Sequence, residues 1–185
     1  METIISILRG INVSGHRQIK MPDLKALYEK LGYTDIVTYI QSGNVIFKTN
    51  KKTSDIALAK AIEQAIEKKY GFDVPVITRS ITEIEKLIVA NPFLKQKGVD
   101  AEKLHVTFLS DKPDAANAKT ILAFDYSPDK FIVSGKEVYV YCPNGYGNTK
   151  LSNTFFENKL KVKATTRNWK TVNKLLELSG ENKTG

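Results

Sequence analysis

Two stretches of this chain are versions of one turn. Thr38-Tyr39-Ile40-Gln41-Ser42-Gly43-Asn44-Val45-Ile46-Phe47 and Lys130-Phe131-Ile132-Val133-Ser134-Gly135-Lys136-Glu137-Val138-Tyr139-Val140 both set Ser-Gly between runs of β-branched and aromatic residues, and Ser134 follows Ser42 by 92 residues. Ser-Gly between two such runs is a β-hairpin signal, because glycine supplies the backbone conformation that a tight turn needs. A chain of 185 residues with one such hairpin in each half is constrained to two related βα-type halves.

The flanking periodicity fills in each half. Before residue 80 the pattern reads strand (about 3–9), helix (about 22–31), strand (about 35–41), strand (about 44–48), helix (about 54–70) and strand (about 74–79). Met21-Pro22-Asp23 announces the first helix, Leu24, Leu27, Tyr28 and Leu31 recur at helical spacing, and Gly32 stops it. Thr53 or Ser54 caps the second, whose apolar stripe reads Ile56, Ala59, Ile62, Ala65 and Ile66, with Gly71 closing it. Residues 81–90 predict a connecting helix, capped by Ser80 or Thr82 and ended by Asn91-Pro92. The order then resumes with a strand (about 103–109), a helix (about 113–122), strands (about 129–134 and 137–142), a helix (about 150–160), a short strand (161–166) and a last helix (about 168–178). Strand-helix-strand-strand-helix-strand is the split-βαβ, ferredoxin-like unit. The expected architecture is α+β: two ferredoxin-like (βαββαβ, α–β plait) halves, at 1–80 and 101–185, joined by a connecting helix and loop at 81–100, with an extra C-terminal helix.

Composition removes several classes of function. Hydrophobic residues make up 42% of the chain, enough to bury a core. One cysteine, Cys142, and two histidines exclude an internal disulfide and a Cys/His zinc site, so no metal is expected. No apolar stretch approaches the roughly 18 residues of a membrane span, and the N-terminus reads as a strand with no basic n-region; a cytoplasmic location with no membrane partner is the expectation. The net charge is +8, and residues 91–185 carry 15 Lys and Arg against 10 Asp and Glu. That surplus sits in 144–170, where Lys150, Lys159, Lys161, Lys163, Arg167 and Lys170 face only Glu157. A second run, 3–22, has no acid and holds Arg9, Arg17, Lys20 and His16. These clusters are either solvated lysines or the footprint of an anionic ligand.

Four stretches concentrate polar chemistry. In LRGINVSGHR (8–17), glycines would let backbone N–H groups approach a ligand and Arg9 offers a planar fork for phosphate or carboxylate, with Asn12 beside it; the other reading is a glycine-softened turn. Gln41-Ser42-Gly43-Asn44 sets neutral amides at strand ends, either to read a ligand's edges or to satisfy the turn's own backbone. In CPNGYGNTKLSN (142–153), Asn144, Gly145 and Gly147 lead to Thr149-Lys150, read as opening a helix whose N-terminus, with Lys150, would cradle an anion. In ATTRNWKTV (164–172), Thr165 or Thr166 would cap the last helix, while Arg167, Asn168 and Trp169 lie at its start, to stack on a base or to plug the core. None of these fits a dinucleotide fingerprint, a P-loop, a nucleophile elbow or an RNA-recognition motif. His105 and Cys142 read as core residues. Tyr139 and Tyr141 share a strand face.

The same four stretches, together with ANPF at 90–93 and LHVTFLSDKP at 104–113, closely resemble the signatures of a widespread bacterial family of unknown function, number 1697 among such domains. Ser14 stands where that family usually has glycine. The resemblance runs over nearly the whole chain and implies two ferredoxin-like halves and no established activity. Its signature positions here would include Arg9, Gly10, Asn12, Gln41, Ser42, Gly43, Asn44, Asn144, Gly145, Lys150, Thr166, Arg167, Asn168 and Trp169.

Three functions stay open at this level. The leading one is a binding module for an anionic ligand (nucleic acid, nucleotide, or a phosphorylated or carboxylated small molecule) at the seam between the halves, held by Arg9, Asn12, Gln41, Ser42, Asn44, Asn144, Lys150, Thr166, Arg167, Asn168 and Trp169. The second is a small-molecule enzyme using neither metal nor a cysteine nucleophile. The third is a protein-interaction or structural role. The sequence names no cofactor and no oligomeric state.

Overall fold

Among the described residues the chain forms two four-stranded antiparallel sheets and six α-helices, an α+β arrangement consistent with two βαβ-type halves. The computed structural model describes residues 1–50 and 53–181. These divide into two units, one of residues 1–85 and 174–181 and the other of 86–173.

The first unit holds β1 (Glu2–Leu8), α1 (Met21–Lys30), β2 (Thr34–Tyr39), β3 (Asn44–Thr49), α2 (Asp55–Tyr70) and β4 (Val76–Ser80). Its strands lie in the order β2-β3-β1-β4, every neighbour antiparallel. β1 is central, and six of its seven residues are buried, as a strand covered on both faces requires. Pro22 pre-sets the first turn of α1, and Leu24, Leu27 and Tyr28 turn inward from it. Burying each stabilises the unit by about 1.5–3 kcal/mol. Tyr28 packs edge-on against Phe47, with ring centroids 5.3 Å apart, and shares a 2.7 Å hydrogen bond with the Ser6 hydroxyl. Ser54 caps α2 by accepting from the Ala57 N–H, and Gly71 ends it at φ 77°. The inward stripe of α2 is Leu58, Ile62 and Ile66. Ile56, expected on that stripe, is exposed, because it lies in the first turn while Leu58 takes the inward position.

The second unit repeats the plan with β5 (Leu104–Leu109), α4 (Ala115–Ile121), β6 (Lys130–Ser134), β7 (Glu137–Tyr141), α5 (Asn153–Leu160) and β8 (Ala164–Asn168), in the order β6-β7-β5-β8. Leu109, Val138, Val140, Cys142, Phe156 and Leu160 form the core on its helical side. β4 runs without a loop into α3 (Ile81–Val89), and β8 likewise into α6 (Trp169–Glu181). α3 thus follows β4 as α6 follows β8. No helix among the described residues is long and apolar enough to cross a membrane.

The registers of the two sheets coincide. Leu8 faces Val76 and Ile5 faces Arg79 in the first; Leu109 faces Ala164 and Val106 faces Arg167 in the second. A carboxylate from the second helix of each set accepts the first amide of the last strand: Glu63 Oε1 from Val76 N at 2.9 Å, and Glu157 Oε1 from Ala164 N at 3.0 Å. The hairpins differ. Tyr39 pairs with Asn44 across a four-residue loop, whereas Ser134 pairs with Glu137 across Gly135-Lys136 alone. The two Ser-Gly dipeptides thus occupy different places in their turns.

Candidate functional site

In the first unit the β1–α1 loop is the most contorted backbone among the described residues. Gly10, Asn12, Ser14, Gly15 and Arg17 all have φ between 48° and 78°. Non-glycine residues held there cost of order 1–3 kcal/mol each, and such positions persist only where surrounding bonds enforce them. Asn12 supplies much of that enforcement. Its amide donates to the carbonyls of Ile19 and Gln41, both at 2.9 Å, and its Oδ1 accepts the Ile19 N–H at 2.8 Å. The Asn12 N–H donates to the Arg17 carbonyl, and Arg17 in turn bonds Asp73 at 3.2 Å on the surface. The tip is exposed, Val13 to 57%. Arg9, at the root of the loop, is partly buried and anchored through its N–H to the Pro75 carbonyl.

The β2–β3 turn closes against this loop. Asn44 is fully buried, and its amide donates to the Tyr39 carbonyl at 3.0 Å and to the Ser42 hydroxyl at 3.2 Å. These bonds tie the Asn44 amide to the turn it belongs to. Gly43 sits at φ 81°, where a Cβ would lie 2.6 Å from Ile11 Cδ1 and 2.9 Å from Leu8 Cβ. Gln41, by contrast, is exposed. Gln41, Asn12, Gly15, Gln18, Ile19 and Lys20 line a cavity of about 240 Å³ whose one charged lining side chain is Lys20.

In the second unit, Asn144 and Lys150 line one cavity of about 310 Å³. The expected helix N-terminus is not there. α5 starts at Asn153 with Ser152 accepting the Phe155 N–H as cap, and residues 146–148 form a separate 3-10 turn. Lys150 instead shares its cavity with Asp125 and Asp129, so this loop is no purely cationic cradle. Asp129 accepts the Thr149 hydroxyl, and bonds from the Ser127 hydroxyl and N–H hold the Asp125 carboxyl below its ordinary range.

Thr166, Arg167 and Asn168 belong to β8, not to the helix that follows. The Thr166 hydroxyl donates to Asn153 Oδ1 at the start of α5, 2.7 Å away. Side chains alternate along a strand, so Arg167 points to the other face. There it bonds the Thr166 carbonyl at 3.0 Å, and burial lowers its pKa to about 10, leaving it cationic at neutral pH. The cap of α6 is Asn168, whose Oδ1 accepts the Thr171 N–H at 2.8 Å; neither Thr165 nor Thr166 takes that role, because both are committed to the strand. Trp169 is buried in the first turn of α6.

β4 and α3 carry the same device. The Thr78 hydroxyl donates to the Asp55 carbonyl at the start of α2, and Arg79 points the other way and bonds the Thr78 carbonyl at 2.8 Å. Ser80 caps α3 in a reciprocal box with Glu83. Arg79 is 1% exposed, the largest fully buried side chain of the described residues. Arg79 lies outside the four polar stretches, yet the sequence carries a signal for it: Thr78-Arg79 and Thr166-Arg167 are each followed after six residues by Lys-Leu.

The other residues singled out resolve as scaffold. His105 stacks on Tyr146 at 4.7 Å, and desolvation holds its imidazole below the ordinary range. Burial pushes the Cys142 thiol up to about 11. The Tyr139 hydroxyl donates to the Leu87 carbonyl and Tyr141 packs near Phe93, so neither is an open stacking platform. No group of three or more His, Cys, Asp or Glu among the described residues is placed to hold a metal.

Comparison with known proteins adds a family and a fold. A family model described as protein of unknown function (DUF1697) matches residues 1–139. The solved structure of conserved bacterial protein SP0830 from Streptococcus pneumoniae is similar, with a TM-score of 0.76 and 19% sequence identity over 96% of this chain and 98% of that one. At that identity the likeness concerns the fold alone. No curated protein matches the chain.

Proposed function

The chain belongs to the DUF1697 family of proteins of unknown function, and on that premise we propose that it is a binding module for an anionic small molecule, with the β1–α1 loop as its recognition element. The observation that carries this is the conjunction at residues 9–20: five left-handed backbone positions, braced through Asn12, beside a cavity lined by Lys20 and three neutral amides. Strain held in place by dedicated hydrogen bonds is a signature of functional segments. Concave backbone of this kind presents N–H groups to anions. Arg9, Lys20 and Gln41 are the residues assigned to the ligand in this unit, with Asn12 bracing the loop that carries them. In the second, Asn144, Lys150 and Arg167 are the further candidates, with Ser42, Asn44, Thr166, Asn168 and Trp169 supporting them. The reading takes each half as a ferredoxin-like plait, the pair as copies of one ancestral unit, and the protein as cytoplasmic. The strand orders and the coincident registers support the first two.

A thermal-shift series with phosphate, pyrophosphate, nucleotides and dicarboxylates tests it. At a hundred times its Kd a ligand adds about 2.7 kcal/mol, which raises Tm by about 5–11 °C for a chain of this size. Lys20→Glu should abolish the shift, and Lys25→Glu, on the exposed side of α1, should keep it. A flat series, or a shift indifferent to Lys20→Glu, refutes the proposal. Binding confined to DNA or RNA and falling steeply with salt would replace the small molecule by a nucleic acid.

A further inference from the structure

The outermost strands of the two sheets are flanked differently. In the first unit α1 lies against the outermost strand, β2, and sends Leu24, Leu27 and Tyr28 inward. Its counterpart α4 has seven residues and packs on α5 instead. The space between α4 and the outermost strand β6 is a groove of about 500 Å³. Its helical wall is Ala115, Ala118, Lys119 and Leu122, which fall at i, i+3, i+4 and i+7 and so form one stripe. Its opposite wall is Phe131, Ile132 and Val133, three consecutive residues of β6. Consecutive residues point to opposite faces of a strand, so a cavity touching all three meets the strand at its edge. The outer side of β6 pairs with no strand among the described residues. The apolar residues of β6 are only partly buried, and Leu122 is 63% exposed. The charged residues lining the groove are Lys112 and Lys119; no carboxylate lines it.

From this juxtaposition we infer that the α4–β6 groove is a docking site for an extended segment of another protein, one that carries alternating apolar side chains and a carboxylate. The segment adds a fifth strand beside β6, its backbone pairing with the free edge. Its apolar side chains enter the groove against Leu122 and Phe131. Its acidic side chain or C-terminal carboxylate meets Lys112 and Lys119. The absence of an acid in the lining selects an anionic partner over a cationic one. This inference is independent of the β1–α1 loop.

A display library of random twelve-residue peptides, selected against the full chain, tests the inference. Selected peptides should alternate apolar residues with at least one Asp, Glu or terminal carboxylate. A synthetic copy of the best binder should slow hydrogen exchange at the outward-facing amides of residues 130–134. Lys119→Glu and Leu122→Glu, both at positions where the fold tolerates change, should each weaken it tenfold or more. Three outcomes overturn the inference: selection returns no binder, in which case the lysines merely guard the edge against pairing; the binders lack the pattern or leave the β6 amides unprotected; or octanoate occupies the groove and peptides do not.

Discussion

Replacing Gly43 by alanine perturbs one position through two separable effects. At φ 81° the backbone itself resists a side chain, costing roughly 1–2 kcal/mol for an L-residue in the left-handed region. The methyl would also stand 2.6 Å from Ile11 Cδ1 and 2.9 Å from Leu8 Cβ. Ile11 can swing its terminal carbon; Leu8 Cβ is fixed to the central strand and cannot. Relieving such overpacking costs typically 1–3 kcal/mol. The sum is about 2–5 kcal/mol. Gly15 isolates the first effect, since its φ is 78° and nothing lies within 4 Å of where its Cβ would be. Calorimetric melting of Gly43→Ala, Gly15→Ala and wild type compares them. At about 2–4 °C per kcal/mol, Gly15→Ala should lower Tm by about 2–8 °C and Gly43→Ala by at least 2 °C more. If Gly43→Ala melts no lower than Gly15→Ala, the turn is not pressed against β1 and the steric reasoning fails.

Asn12→Ala removes three hydrogen bonds and a side chain suited to positive φ; urea unfolding should show a loss of about 2–4 kcal/mol, and anion binding should fall with it. Cys142, buried with its thiol near 11, should react with a thiol reagent at pH 8 at least a hundredfold more slowly in native protein than in urea, because the thiolate fraction falls about tenfold per unit of pKa. Since the folded state keeps that proton longer than the unfolded chain, stability should decline as pH rises from about 8.5 toward 11. His105 works in the opposite sense. Its folded pKa is depressed, so the unfolded chain binds the proton first and stability is lost as pH falls below about 6.5. A urea series from pH 7 to pH 5 should show this loss, and His105→Phe should reduce it.

The periodic elements were legible because burial imposes them. Leu24, Leu27 and Tyr28 read as a helical face and are one, and the alternation in LHVTFL reads as a strand and is one. Where side chains do local work, pattern reading misled. Thr165 and Thr166 resemble helix caps, but β8 claims them because its edge of the sheet needs a partner for β5, and the cap passes to Asn168. Lys150 looks like the opening of a helix, yet the helix starts three residues later at Asn153, with Ser152 as its cap. The Ser-Gly echo exists because both turns need glycine, though the turns differ in length. The echo with structural meaning is Thr-Arg. Its two parts face opposite ways, a hydroxyl latching the strand to a helix and a guanidinium on the far side, fully buried at Arg79 and partly at Arg167, and no single periodicity reveals both. Asn12 and Asn44 stand out in sequence as polar residues, and the fold consumes most of that polarity in its own hydrogen bonds.

The joints at Ser80–Ile81 and Asn168–Trp169 contain no spare residue. One residue inserted at either would rotate the following helix by about 100° and advance it by about 1.5 Å. For α3 that would carry Ile84 and Leu87, both buried, off their side of the helix. The chain can lengthen between α4 and β6 without such a penalty. Natural variation in length should gather there and leave both joints untouched, which makes these two peptide bonds fixed points from which relatives of any length can be aligned.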